Sequence, residues 1–122
     1  MFERHESYKR TYISGQLGGG LQDYLPHVDG RVTYGAFSLD HNPQAPRIVL
    51  PGLGPEIERW ARVLAEQPEA IPVFVKKRSN EWVYMSVYRC TEVSEDEAII
   101  RQYAEKTGRT NISMVLTLSR VS

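Results

Sequence analysis

The pattern of apolar and polar residues predicts six strands and two helices, in the order β, β, β, α, β, β, α, β. Strands are predicted where β-branched and aromatic residues alternate with polar ones. They cover residues 8–14, 31–39, 47–50, 71–77, 81–89 and 112–120. Because side chains alternate across a strand, Trp82, Tyr84 and Tyr88 are predicted to share one face. Gly35 within the second strand indicates a bulge or a close backbone approach.

Helical spacing of apolar residues predicts the two helices. The first begins at Pro55, a residue that suits the first helical position, and continues to about Gln67. The second is predicted to begin at Ser94, with Glu97 three residues later as in a capping box, and to end near Gly108.

Most of the predicted strands are separated by loops rather than by helices. This order argues against a doubly wound parallel sheet, which needs crossover helices between its strands. We therefore expect an α+β fold, with a small, curved, mixed or antiparallel sheet that approaches a barrel and two helices packed outside it.

Length and composition are those of one ordinary globular domain. The chain has 122 residues, of which 41% are hydrophobic and 25% charged, so we expect a single domain over residues 1–122. No apolar run has the roughly 20 residues needed to cross a bilayer, and no signal peptide is recognised. The single cysteine, Cys90, excludes an internal disulfide framework. These features favour a cytoplasmic protein.

The charged residues balance overall but cluster locally. Fifteen basic and fifteen acidic residues give zero formal net charge, which argues against a strongly basic nucleic-acid coat protein. A small basic face is still compatible with this composition. The candidate phosphate-binding residues lie in two clusters, Lys9 with Arg10 and Lys76 with Lys77 and Arg78.

The stretch GQLGGGLQDYLP, residues 15–26, is the most distinctive in the chain. It is not a phosphate-binding P-loop, because Leu21 and Gln22 stand where Lys and a hydroxyl residue are required. It is not a dinucleotide fingerprint either, because Asp23 takes the place of the third glycine. The residues alone leave two interpretations open, a tight place where the backbone approaches a ligand and a flexible connection.

The residues do not form a recognisable catalytic or metal-binding motif. The histidines, His5, His27 and His41, lack the short spacing of zinc motifs, and no GxSxG element is present. We therefore expect no catalytic residues, no metal and no cofactor. A hydrolase that uses His41 with Asp40, or His27, stays an alternative, as does a protein-interaction module that uses the proline-rich loop around residues 43–55.

Aromatic rings beside amides and carboxylates are what a base-binding pocket requires. Rings stack on the faces of a base, while Asn, Gln and Asp can read its Watson–Crick edge. Tyr24 and the predicted face of Trp82, Tyr84 and Tyr88 are the strongest aromatic candidates, whereas Trp60 and Phe74 are expected to pack in the core.

Several short elements, taken in order, resemble a known group of domains. YIS, GGGLQDYLP, SLDHNPQAP, PGLGP and EWVYMSVYR, within residues 8–93, resemble PUA-like domains of bacterial modification-dependent restriction proteins and of a related fungal family of unknown function. The element Gly19 to Gln22 is also similar to the glycine–glutamine element of SRA-type readers of modified cytosine.

The resemblance implies a PUA-like or SRA-like barrel that binds double-stranded DNA and flips a 5-modified cytosine into a pocket. The implied pocket residues are Tyr12, Gly19, Gly20, Leu21, Gln22, Asp23, Tyr24, Asp40, Asn42, Trp82, Tyr84 and Tyr88. The restriction proteins often carry an HNH nuclease, but this chain has no HNH motif. Cleavage in restriction or phage defence would therefore come from a separate nuclease domain or subunit. Binding of RNA by the same kind of module stays an alternative.

Overall fold

A six-stranded mixed sheet organises the chain in the computed structural model, which describes residues 1–121. The elements in chain order are β1 (Ser7–Tyr8), α1 (Arg10–Leu17), β2 (His27–Val28), β3 (Arg31–Val32), β4 (Gly35–Ser38), β5 (Ile48–Val49), α2 (Pro55–Glu66), β6 (Ile71–Arg78), β7 (Glu81–Ser94), α3 (Glu97–Thr107) and β8 (Val115–Arg120).

The strands pair in the order β4-β6-β7-β8-β5, and β1 pairs with the beginning of β7. β4 and β6 are parallel, whereas the other ladders of this sheet are antiparallel. β2 and β3 form a separate short hairpin. The predicted α+β class with a mixed sheet is therefore confirmed, although the ladders among residues 1–121 leave the path open between β4 and β5.

The β6–β7 hairpin, which the sequence predicted most clearly, is confirmed. Ser79 and Asn80 form its turn, and Asn80 adopts the left-handed conformation with φ 55° that asparagine tolerates well. β7 is longer than predicted and continues to Ser94, because its second half pairs with β8.

A bulge in β7 overturns the prediction that Trp82, Tyr84 and Tyr88 share one face. Ser86 pairs with Val73 and Tyr84 pairs with the next residue, Phe74, so Met85 is an extra residue. The bulge reverses the alternation of side chains. Trp82 and Tyr84 consequently pack on one side of the sheet with Phe74. Tyr88 packs on the other side, in the core that contains Val73.

The helices cover both sides of this sheet. α2 contributes Ala61 and Leu64 to the larger core. On the opposite side, Ile13 of α1 packs in the cluster that contains Phe74 and Trp82. α3 packs through Tyr103 on a third cluster at the β5–β8 edge. That cluster lies on the same side as α1, because its β5 and β8 residues alternate with those that join the larger core.

The prediction of a first strand over residues 8–14 was wrong beyond Tyr8. Residues 10–17 form α1, and the fold therefore has three helices in residues 1–121 rather than two. Arg10 and Ile13 are buried, and Leu17 is half-buried, which is helical spacing. The β-branched and aromatic residues that suggested a strand, Thr11 and Tyr12, lie on the exposed side of the helix.

The predicted strand over residues 31–39 is interrupted. β3 ends at Val32 and β4 begins at Gly35, because Tyr34 turns into the second core cluster and is fully buried there. Gly35 marks a close approach rather than a bulge, since a Cβ atom at this position would lie 2.6 Å from the Phe37 ring.

The remaining elements agree with prediction in position but differ at their ends. α2 begins at Pro55 as predicted, and β5 is the expected short edge strand. β8 begins at Val115 rather than at 112. α3 is capped by Asp96, not by Ser94, which lies in β7 and accepts a hydrogen bond from the Asp96 amide. None of the helices in residues 1–121 has the length and apolarity needed to cross a membrane.

The capping of α3 can be tested by comparing two variants. Asp96 Oδ1 accepts hydrogen bonds from the amides of Ala98 and Ile99, at 2.8 and 3.4 Å. We expect Asp96→Ala to lower the free energy of unfolding by about 1 kcal/mol, as loss of an N-cap does. Ser94→Ala serves as the control, with an expected loss below about 0.5 kcal/mol. Urea denaturation measures both, and a larger loss in Ser94→Ala would restore the capping-box assignment.

Candidate functional site

A cleft of about 510 Å³ lies on the side of the sheet that carries α1 and α3. The sheet contributes its floor through Ala36, Ser38, Lys76 and Trp82. Loops on either side supply the walls. The remaining lining residues are Arg10, Leu21, Gln22, Asp23, Tyr24, His41, Asn42, Leu50, Pro51, Gly52, Ile57, Arg109 and Asn111.

Arg10 holds the glycine loop against the rest of the fold. Its side chain is only 8% exposed. Nη2 donates to the carbonyl oxygens of Gly20 and Asp23, at 3.1 and 3.0 Å, and Nε donates to the Tyr34 hydroxyl at 3.1 Å. These charge-assisted bonds are stronger than neutral ones. Arg10 was predicted to contact phosphate; in the structure its side chain is buried and bonds the loop and Tyr34.

The glycines of this loop allow close packing within the protein. Gly18 and Gly19 have φ of 82° and 95°, which glycine adopts without strain. A Cβ atom would lie 2.8 Å from Val28 at Gly18 and 2.6 Å from Pro26 at Gly19. The loop therefore folds tightly onto the β2 segment, and residues 21–24 are the part that reaches the cleft.

Tyr24 forms the boundary between the glycine loop and α2. Its hydroxyl donates to the Ile57 carbonyl at 2.6 Å, and its ring packs against the larger core. Burial, and next the nearby Glu58 carboxylate, raise the pKa of Tyr24 well above its usual value. The phenol therefore stays protonated and acts as a fixed wall of the cleft.

Trp82 carries the aromatic surface of the cleft. Its ring is almost fully buried and lies beside two cations, with Arg10 Cζ 5.0 Å and Lys76 Nζ 5.9 Å from the ring. Lys76 is exposed and pairs with Trp82 across the β6–β7 ladder. The sheet register thus places an exposed cation and a flat ring side by side.

The end of the cleft beyond Asn42 is organised by Arg109, which sequence reasoning missed. Arg109 Nη1 donates to the carbonyl oxygens of His41 and Leu50, both at 2.8 Å, and Nε donates to Asn111 Oδ1 at 3.3 Å. Burial lowers the pKa of Arg109 from its usual value. No sequence signal pointed to this residue, since it follows α3 and is far along the chain from the other lining residues.

Asn42 lines the cleft as predicted, but its side chain mainly holds the loop before β5. Oδ1 accepts a hydrogen bond from the Leu50 amide at 2.7 Å, and Nδ2 donates to the Ser38 carbonyl at 3.3 Å. The residue is 6% exposed. Its amide therefore connects two loop segments that carry other lining residues.

A second cleft of about 410 Å³ lies on the other side of Tyr24. The His27 ring stacks on Trp60 there, with centroids 3.5 Å apart and planes 10° apart. Trp60 also packs against the larger core, in agreement with its predicted packing role. Asp23, Tyr24 and Ile57 line both clefts and separate them.

The structure brings together half of the predicted pocket, namely Leu21, Gln22, Asp23, Tyr24, Asn42 and Trp82. The other predicted residues do not line this cleft. Tyr12 lies exposed on α1 and stacks on Tyr8, while Tyr84 and Tyr88 pack in two different clusters. Asp40 is exposed, and Gly19 and Gly20 lie within the loop behind its lining residues.

The remaining predicted phosphate contacts lie on the surface. Lys9, Lys76, Lys77 and Arg78 are exposed, and Arg78 Nη1 lies 3.9 Å from the Glu81 carboxylate. Such an exposed pair contributes little and can exchange partners. These four residues stay candidates for contact with a polyanion.

The groups that could support catalysis do not converge. Within residues 1–121, no cluster of three or more His, Cys, Asp and Glu side chains could hold a metal ion. Burial raises the pKa of the Cys90 thiol, whose Sγ lies 3.6 Å from the Glu92 carbonyl. His41 lines the main cleft, whereas its neighbour Asp40 does not.

The fold of the chain resembles one that is already known. The chain is similar to the SRA domain of SUVH5, solved in complex with hemi-methylated CG DNA, with a TM-score of 0.65 at 14% identity. The similarity covers 98% of this chain and 88% of that one. The SRA-like fold that the resemblance implied is thereby confirmed.

The family follows from a separate comparison. The model of a family described as a domain of unknown function, DUF6697, matches residues 7–112. The chain belongs to this family. No curated protein matches the chain.

The role of Arg10 can be tested by replacing its guanidinium with an apolar group. Arg10→Met removes the charge-assisted bonds to the carbonyls of Gly20 and Asp23 and to the Tyr34 hydroxyl. We expect the free energy of unfolding to fall by roughly 2–4 kcal/mol, together with faster amide exchange in residues 18–24. Lys9→Met, at the exposed neighbouring position, is the matched control and should change stability by less than about 0.5 kcal/mol. Equal effects of the two variants would refute the structural role.

The pKa of Tyr24 predicts a pH dependence of stability. In the unfolded chain the phenol ionises near its ordinary pKa of 10.0, whereas the folded protein keeps it protonated to higher pH. Its contribution is therefore complete below pH 10.0 and declines as the pH rises above that value. Urea midpoints measured from about pH 8 to pH 11 should fall more steeply for the natural protein than for Tyr24→Phe. Parallel curves would contradict the raised pKa.

Proposed function

We propose that this protein is a non-catalytic reader of modified bases in double-stranded DNA. In this proposal the protein flips a 5-modified cytosine out of the duplex and holds it in the main cleft. The observation that carries the proposal is the cleft itself, formed by residues 21–24 and Trp82 on an SRA-like fold. The complex of the SUVH5 SRA domain with hemi-methylated CG DNA supports the choice of ligand.

The part of the cleft next to the glycine loop suits a flipped base. Trp82, Leu21 and Ala36 supply apolar surface, while Gln22 and Asp23 are exposed polar groups beside it. Flipping costs a few kcal/mol, and contact with an aromatic ring contributes about 1–3 kcal/mol per base. Hydrogen bonds from an amide and a carboxylate would supply the rest and would discriminate between bases.

The exposed cations near this cleft suit the sugar–phosphate backbone. Lys76 lies at the cleft, and Lys77 and Arg78 follow it at the end of β6. Such contacts set the position of the duplex and make binding dependent on salt. Contacts of this kind are compatible with zero net charge, because only the face that meets the DNA needs to be basic.

The proposed role is binding alone, so any cleavage of modified DNA would come from a nuclease domain or subunit elsewhere. Restriction of foreign DNA is a context in which such a reader is useful. A hydrolase that uses His41 with Asp40 is less well supported, because Asp40 does not line the cleft.

Gel-shift titration of short duplexes tests the proposal. The duplexes carry plain, methylated, hydroxymethylated or glucosylated cytosine at one position, and we expect at least one modified duplex to bind about tenfold tighter than the plain one. Equal affinity for every duplex at moderate salt would refute modified-base reading. Tighter binding to a single-stranded RNA competitor would favour an RNA-binding module instead.

Two variants separate base reading from backbone contact. Gln22→Ala should reduce the preference for the modified duplex with a smaller effect on the plain one. Lys76→Ala should weaken binding to every duplex alike and reduce the salt slope by about one. Arg101→Ala removes an exposed cation from α3 and should leave both properties unchanged. A loss of preference in Lys76→Ala equal to that in Gln22→Ala would contradict this division.

A further inference from the structure

We propose, as an inference that rests on the proposed function, that the cleft accepts a base with a hydroxyl-rich substituent of hexose size rather than a methyl group. The part of the cleft around Arg109, which we call the Arg109 pocket, would hold that substituent. It comprises His41, Leu50, Gly52, Arg109 and Asn111.

The cleft is larger than a methylated pyrimidine requires. A volume of about 510 Å³ is within the range that holds a drug-sized ligand, roughly 300–1,000 Å³. A methylated pyrimidine is a single small ring and would leave much of this space to water. A base that carries a hexose would extend through it.

The lining residues of the cleft form two separately bonded groups. Arg10 connects the glycine loop to Trp82, because its Nη2 donates to the Asp23 carbonyl and its Cζ lies 5.0 Å from the Trp82 ring. The Arg109 pocket is held together separately, by the bonds of Arg109 to the carbonyls of His41 and Leu50 and to Asn111. Among residues 1–121, no hydrogen bond joins Arg10, Asp23 or Trp82 to the Arg109 pocket. The cleft therefore has one part that suits the pyrimidine ring of a flipped base. The Arg109 pocket is a second part, which the pyrimidine ring alone would not fill.

The Arg109 pocket offers both hydrogen-bond donors and acceptors. Arg109 Nη2 and Asn111 Nδ2 have no hydrogen-bond partner within residues 1–121, and both lie near Gly52, which leaves space beside them. The carbonyl oxygens of His41 and Leu50 supply acceptors. A hydroxyl group both donates and accepts, so several hydroxyls match this mixture of donors and acceptors. A methyl group would make no hydrogen bond with these donors.

The experiment compares duplexes that differ only at position 5 of one pyrimidine. Their substituents are methyl, hydroxymethyl, glucosylated hydroxymethyl and carboxyl on cytosine, with glucosylated 5-hydroxymethyluracil to separate the sugar from the base. We expect the glucosylated cytosine duplex to bind about tenfold tighter than the methylated one, as hydrogen-bond discrimination allows. Comparable binding of the glucosylated uracil duplex would locate recognition in the sugar.

Two variants test where the sugar lies. Gly52→Leu should fill the Arg109 pocket without backbone strain, because a Cβ atom there meets only ordinary contacts at 3.6–3.8 Å. Asn111→Ala removes an exposed amide. Each should reduce the preference for the glucosylated over the methylated duplex to about twofold or less, while binding of the methylated duplex persists. Gly15→Leu makes the same substitution on exposed α1 and should keep the preference.

The outcomes distinguish this inference from the proposed function. If methylated or carboxylated cytosine binds as tightly as the glucosylated base, the inference is overturned and modified-base reading stands. An unchanged preference in both Gly52→Leu and Asn111→Ala would also overturn it. If no modified duplex binds better than the plain one, the proposed function itself fails.

Discussion

The buried guanidinium of Arg10 is the interaction on which the cleft depends. Its hydrogen bonds connect three separate parts of the chain, namely α1, the glycine loop and Tyr34. A buried charge is tolerated only where its donors are satisfied, and here two carbonyls, a phenol and adjacent aromatic rings satisfy them. These bonds hold the glycine loop against α1.

The bulge at Met85 and Ser86 determines which aromatic residues can act together. Without the extra residue, Trp82, Tyr84 and Tyr88 would have formed one row. The reversed alternation instead assigns Tyr88 to the larger core and leaves Trp82 beside Lys76 at the cleft. One inserted residue thus divides the predicted aromatic face between core packing and the lining of the cleft.

Sequence reasoning was most accurate where the local signals were strong, and weakest where a tertiary contact outweighed them. The β6–β7 hairpin and α2 were predicted because turn residues, proline and apolar spacing agree there. α1 was taken for a strand, because Thr11 and Tyr12 favour extended structure while only the burial of Arg10 and Ile13 reveals the helical side. The cap of α3 was misplaced by two residues, since pairing with β8 extends β7 through Ser94. Arg109 gave no local signal at all.

The sequence alone determined the α+β class and pointed to residues 21–24, which line the main cleft, because these follow from local preferences and from motif order. The tertiary structure decided the roles of individual side chains within that frame. In the folded protein, Arg10 is buried and Tyr88 packs in a different cluster from Trp82. Arg109 and Asn111 line the same cleft as Gln22. The physical reason is that burial, sheet register and hydrogen-bond satisfaction depend on residues far apart along the chain. A pattern within a single segment cannot encode them.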